Sequence, residues 1–192
     1  PNGYLLMFGP EHAEEQYKAL ENHKACYAGT KNIKGSELDK FFPYINKEGI
    51  ETATFTDNKS EGWIDPFLFH TALKSKAIEQ GAEFIKGEVK SLSEIKAKTI
   101  VSAAGCWTKE LLEDIPVEPQ KHTVFRVKCP KHIPEMPLTG DLTTGVYWRP
   151  EGKEYLAGSP KSVFDATDLE PAWDDFEAVS YTHLRAHETH SN

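Results

Sequence analysis

From Glu61 to Trp107 the chain reads EGWIDP, then one helix-length stretch, then a Lys-, Ser- and Glu-rich connection, then TIVSAAGCW. This order limits the fold more than any other part of the sequence. Asp65 is placed to cap the unpaired amides of a helix start, and Pro66 falls at the first helical position, where its missing N–H costs nothing. Phe69, Leu73 and Ala77 recur at four-residue spacing with Leu68 and Ala72 beside them, which gives one apolar face. Gly81 follows where helices end in a left-handed residue, so a helix is predicted from Pro66 to about Gln80. The runs EFIKGEV and TIVSAAG then have strand character, the second uniformly apolar or small as in a strand buried on both faces. Helix, strand, strand is the order of an α/β fold.

At the end of the second run, Ala103, Ala104 and Gly105 remove side-chain bulk where a parallel strand would leave the sheet. That is the edge at which open α/β sheets bind ligands. Two readings stand side by side: close approach of backbone to a ligand, or small residues that let the strand pack under a helix. Taken with the helix before it, the segment reads as the return half of a dinucleotide-binding fold.

The rest of the chain reads as a different sheet. NGYLLMF is a strand, and EHAEEQYKALENHKA is a surface helix with Ala13, Tyr17 and Leu20 on its inner face. SELDKFF opens with Ser36 as a cap and an acid three residues on, and Pro43 closes it. ETATFT, HTVFRVK, GVYWRP and EYLAGS alternate and carry β-branched or aromatic residues, the last two joined by a Glu-Gly turn. Together they predict a mostly antiparallel sheet. Lys and Arg number 22 against 30 Asp and Glu, a net charge of −8, which argues against a nucleic-acid partner. No apolar run reaches membrane-spanning length, and the N-terminus has no basic, apolar leader pattern. Cys26, Cys106 and Cys129 are odd in number, widely spaced and without C-x-x-C, so neither a disulfide framework nor a zinc site is read, and a reducing compartment fits.

Five blocks in order carry a resemblance: FPYINKEGIETATFTDNKSEGWIDP, GEV, IVSAAGCWT, PVEPQKHTVFRVKCP, and GVYWRPEG followed by YLAGSP. In order and spacing they resemble the flavin-dependent D-amino-acid oxidase superfamily, which includes glycine oxidase, sarcosine oxidase and dimethylglycine dehydrogenase. The resemblance covers Gly3 to about Leu169. It implies an α/β fold class, with part of a glutathione-reductase-like FAD-binding Rossmann domain plus a mostly antiparallel substrate-domain sheet. Residues 1–60 and 116–178 then belong to the substrate domain and residues 61–115 to the FAD-binding domain.

Two departures qualify it. The superfamily opens with a strand, a G-x-G-x-x-G turn and a helix that hold the FAD pyrophosphate, and no such glycine pattern occurs here. After Glu177 nothing resembles the superfamily's Gly-rich segment or final helix. The chain is therefore read as an internal piece of a longer protein, one not expected to hold FAD by itself. An NAD-binding domain of unrelated type would need its own glycine-rich turn. VSYTHLRAHET, Val179 to Thr189, matches the translation of a sequencing-library transposase adapter, and residues 179–192 are set aside as a disordered tail. Its histidines, His183, His187 and His190, are not read as metal ligands despite the four-residue spacing in HLRAH.

The resemblance implies FAD as cofactor and oxidation of a small amine or amino acid, of sarcosine, dimethylglycine or D-amino-acid type, by hydride transfer to flavin N5. It implies cofactor contacts at Val89, through backbone to the adenine, and at Ala103, Ala104, Gly105, Cys106 and Trp107 along ribose and pyrophosphate. No catalytic side chain is assigned, and Cys106 and Cys129 are not flavin attachment points. Such a site needs a cation for the substrate carboxylate. Outside the tail only Arg126 and Arg149 exist, and Arg149 sits beside Tyr147 and Trp148. Arg149 and Tyr147 are candidates for substrate binding; the alternative pairs Arg149 with Glu151 or Glu154. His122, after Lys121, is a candidate to hold a proton or face the flavin edge, or is merely exposed. The mitochondrial branch of the superfamily, implicated in respiratory-complex assembly, implies a second function: an FAD-binding assembly factor that docks respiratory-chain subunits. The location would be cytoplasmic in a bacterium and mitochondrial in a eukaryote.

Overall fold

The structure is a computed structural model and describes residues 3–56, 61–130, 133, 135–159, 163–164, 170, 173, 176 and 179. The chain runs from β1 (Tyr4–Phe8) into α1 (Ala13–Ala25), β2 (Thr30–Lys34), the one-turn α2 (Leu38–Phe41) and β3 (Thr52–Thr56). Then follow α3 (Pro66–Glu79), the short α4 (Thr108–Leu111), β4 (Gln120–Lys121), β5 (Val124–Val127), β6 (Leu138–Asp141), β7 (Tyr147–Glu151), β8 (Glu154–Gly158) and β9 (Val163–Phe164). Two compact units divide it: residues 1–63, 122–162 and 170–192 form the first, and residues 64–121 and 163–169 the second. The histidines of the tail lie outside the described residues.

The first unit is built on a seven-stranded sheet in the order β2-β3-β1-β6-β7-β8-β5. Only β1 and β6 run parallel; the other neighbours are antiparallel, as the alternating sequence runs predict. Successive side chains of a strand point to opposite faces. One face carries Leu5, Met7 and Ala53, which pack with Ile33, Leu38, Phe42 and Ile45 into a core from which water is excluded. A second cluster joins Phe125, Val146, Ala157 and Val179, and Trp148 packs against both; Val179, the first residue of the stretch expected to be a disordered tail, is therefore buried instead. The β7–β8 hairpin turns at Gly152 and Lys153, and full burial of Leu5, Leu38, Ala53 and Thr139 shows where the hydrophobic driving force is concentrated.

Two local expectations are corrected here, and two strands are added. On α1 the inner positions are Ala13, Gln16 and Leu20, and Tyr17 is 46% exposed. Gln16 replaces it because its side-chain amide has a partner inside: Nε2 donates to Asn32 Oδ1 at 3.3 Å, an oxygen that also accepts from Thr52 Oγ1 at 2.7 Å. Ser36 makes no cap, since the turn begins at Gly35 as a 3-10 helix, and Asp39 pairs instead with Lys47 at 2.5 Å. β2 and β6 were not legible as strands. TKNIK buries only Ile33, and LTGD carries a glycine and an acid, so neither shows the apolar alternation that marks a strand.

In the second unit α3 forms as expected. Asp65 accepts the Leu68 amide at 2.9 Å, Pro66 opens the helix, and Gly81 follows with φ +94°. The two runs after it do not pair as strands: residues 82–90 and 100–104 have no ladder among the described residues, and Ile85 and Val101 are 84% and 85% exposed. A strand of this apolar kind is held by neighbours on both edges, and this unit's only ladder among the described residues is β4 with β9. No described helix is long and apolar enough to cross a membrane.

Candidate functional site

The first unit's candidate substrate residues on β7 lie on the sheet face opposite the core. Within β7, Trp148 and Pro150 turn to the core, so Tyr147, Arg149 and Glu151 share the other face. Register extends this face across the sheet. Tyr147 lies opposite Gly158, and Gly158 opposite Val124; Arg149 lies opposite Leu156, and Leu156 opposite Arg126. Gly158 is required by this packing, because a Cβ there would stand 2.6 Å from Tyr147 Oη and 2.7 Å from its ring.

Arg149 is the center of the group. Its Nη1 donates to Pro150 O at 3.1 Å and to the Glu151 carboxylate, and its guanidinium lies over the Trp63 ring, 4.9 Å from the centroid. Stacking and partial burial hold the guanidinium plane in place, which a flexible ammonium would not allow. The Tyr4 hydroxyl donates to Gly62 O at 3.2 Å and so fixes the backbone beside Trp63. Arg126 is mostly exposed and pairs through Nε with Glu154. Of the two partners weighed for Arg149 in the sequence, Glu151 is the one it has. Trp63 was missed by sequence reasoning, since EGWIDP reads as a helix entry; a large aromatic in that polar stretch was the available signal. His122 stands exposed, two residues before β5, while Tyr147 is half-buried.

The expected cofactor contacts all fall in the second unit. Val89 lies in unpaired backbone and is 41% exposed. Ala103 and Ala104 lead into a 3-10 turn, Gly105–Trp107, whose Trp107 amide donates to Ala104 O at 3.1 Å, and α4 continues from it. Gly105 has φ +59° and open space where a Cβ would be; Cys106 is half-buried and Trp107 exposed. Three residues before the turn, the Ser102 hydroxyl is buried without a hydrogen-bond partner. An orphaned buried hydroxyl beside open backbone fits one edge of a polar cofactor such as FAD. The backbone of Ala103 to Gly105 and the Ser102 hydroxyl would hold it, with the Trp107 ring alongside. Among the described residues, no three His, Cys, Asp or Glu side chains are grouped to hold a metal ion.

The family DAO, FAD dependent oxidoreductase, matches residues 1–187. The FAD-dependent oxidoreductase domain-containing protein 1 of Xenopus laevis is 27% identical over 88% of this chain and 44% of its own length. Mitochondrial dimethylglycine dehydrogenase of Mus musculus is 28% identical over 73% of this chain and 18% of its own. The chain thus spans less than half the length of either relative. L-proline dehydrogenase from P. horikoshii superposes with a TM-score of 0.76 at 22% identity, over 95% of this chain and 55% of that one. Glycine oxidase from Geobacillus kaustophilus superposes with a TM-score of 0.75 at 16% identity, over 94% and 53%. The fold class, a mixed α/β chain with a mostly antiparallel sheet, is therefore that of these two solved structures, and the chain belongs to the DAO family of FAD-dependent oxidoreductases.

Proposed function

We propose that this chain supplies the substrate-facing sheet and one edge of the flavin site of an oxidoreductase that oxidises a small amine or amino acid. Bound FAD would supply the hydride-accepting chemistry, with the Ser102 to Gly105 edge holding it. The chain's own residues do the positioning. The observation that carries the reading is Arg149: a half-buried guanidinium, stacked on Trp63 and flanked by Tyr147. Nη1 carries the bonds to Pro150 and Glu151, and Nε and Nη2 have no partner among the described residues. That side of the guanidinium suits a substrate carboxylate, and Trp63 and Tyr147 supply apolar walls.

The test is anaerobic reduction of the flavin in the protein expressed from its complete gene, with sarcosine, dimethylglycine and D-amino acids as substrates. Bleaching of the flavin band is expected with at least one of them, and Arg149→Leu is expected to lower kcat/KM for it by about 10- to 100-fold, the worth of one hydrogen bond to a charged group. A bound flavin that none of them reduces would instead favour an FAD-binding assembly factor that docks respiratory-chain subunits. One feature supports that second reading: the Glu151 carboxylate pairs with Arg149, the cation that a substrate carboxylate would need.

A further inference from the structure

On the core side of the sheet, away from Arg149, the first unit holds a cavity of about 300 Å3. The sheet contributes Met7, Trp148, Tyr155 and Ala157 to its lining, and the loop after α2 contributes Tyr44 and Ile50. Trp148 and Arg149 are consecutive on β7, so the cavity and the Arg149 group lie on opposite faces. Nothing in the proposed oxidation uses this space.

Two acids line it, Glu48 and Asp141, and no Lys, Arg or His is among the described lining residues. Asp141 is 8% exposed at the end of β6, in register with Met7, and therefore turns to the core face. Its Oδ1 accepts the Thr143 amide at 3.0 Å and its Oδ2 the Thr144 hydroxyl at 2.8 Å. Both donors are neutral, and a buried carboxylate gains most from a cation. Glu48 lies exposed on the loop that closes the other side. Tyr44, Trp148 and Tyr155 bring aromatic rings to the same space, and the faces of such rings attract ammonium groups. Burial pushes the Tyr44 phenol up to about 12, so it stays protonated and adds no competing negative charge at neutral pH.

We propose that this cavity is a binding site for a small organic cation: a primary or methylated ammonium, directed at Asp141, on an apolar body seated among Tyr44, Trp148 and Met7. The site is separate from the Arg149 group and stands whether or not the chain serves an oxidation.

The chain has two methionines, Met7 and Met136, and both are buried in the lining of this cavity. In the protein expressed from its complete gene and labelled with methyl-13C-methionine, the Met7 and Met136 signals, assigned by substitution of each to Leu, both report on it. Benzylammonium is the probe, with benzyl alcohol as its neutral isostere. The expected result is saturable movement of both methyl signals by benzylammonium, at least about tenfold tighter than by the alcohol, with the preference lost in Asp141→Asn. Equal response to both compounds, no saturable response, or a preference unchanged in a folded Asp141→Asn chain would overturn the proposal. If Asp141→Asn does not fold, the comparison of cation with alcohol on the native chain decides, with Glu48→Gln, a substitution at an exposed position, as the charge variant: a weakened preference supports the site and an unchanged one refutes it.

Discussion

Arg149 shows how far a single residue can be read. Its scarcity among many lysines and its place between aromatic residues mark it in the sequence, and a strand of period two fixes which of its neighbours share its face. Trp63, the ring it stacks on, lies 86 positions away by number and is brought there by the fold alone. Gly158 belongs to the same group by necessity. Gly158→Ala is expected to push the Tyr147 ring aside and destabilise the first unit by about 1–3 kcal/mol, the usual cost of overpacking, read from the urea midpoint. Asp39 offers a pH test. Its hydrogen bond and charge contact with Lys47 hold its carboxyl below the ordinary value, so the pair's contribution is present above the unfolded pKa and is lost as pH falls through the folded one. Lys47→Ala is expected to move the Asp39 titration, followed by carboxyl NMR, up toward the ordinary carboxylate range.

At the scale of elements, α3 is the part that local chemistry determines most completely. Cap, first-turn proline and terminal glycine stand where the sequence places them. Asp65→Ala is expected to cost about 1 kcal/mol of helix stability, seen as roughly fivefold faster amide exchange at Leu68, the amide its carboxylate accepts. The strands divide by how they are held. β3, β5, β7 and β8 show their alternation in the sequence, whereas β6 is a strand because β1 and β7 flank it and satisfy its backbone on both edges. The converse holds after α3, where apolar runs with strand character remain unpaired for want of neighbours. The candidate site divides in the same way: Tyr147, Arg149 and the Ala103 to Gly105 turn are visible as residue types in sequence, while Ser102 and Trp63 gain their meaning only from burial and stacking.

For the whole molecule, the sheet order is the decisive feature. β1 pairs in parallel with β6, and Gly9 donates its amide to Thr143 Oγ1 at 2.7 Å, a contact between residues 134 positions apart. Such pairing sets which residues meet at the Arg149 group and which line the cavity behind it. The second unit presents Phe67, Phe69, Leu73 and Trp107 to solvent, all more than half exposed, and the sequence contains no G-x-G-x-x-G turn to hold a pyrophosphate. The 192-residue chain is therefore expected to purify without flavin absorbance and to bind a hydrophobic dye such as ANS; a retained yellow chromophore would show that the Ala103 to Trp107 edge suffices. By itself the sequence determined what depends on neighbours along the chain: α3 with its caps, the alternating strands, the small-residue turn, the acidic charge balance and the ordered blocks that mark the family. Only the tertiary structure decided strand order, the stacking of Arg149 on Trp63 and the carboxylate-lined cavity, because these rest on contacts between residues far apart in sequence, whose energy no local pattern encodes.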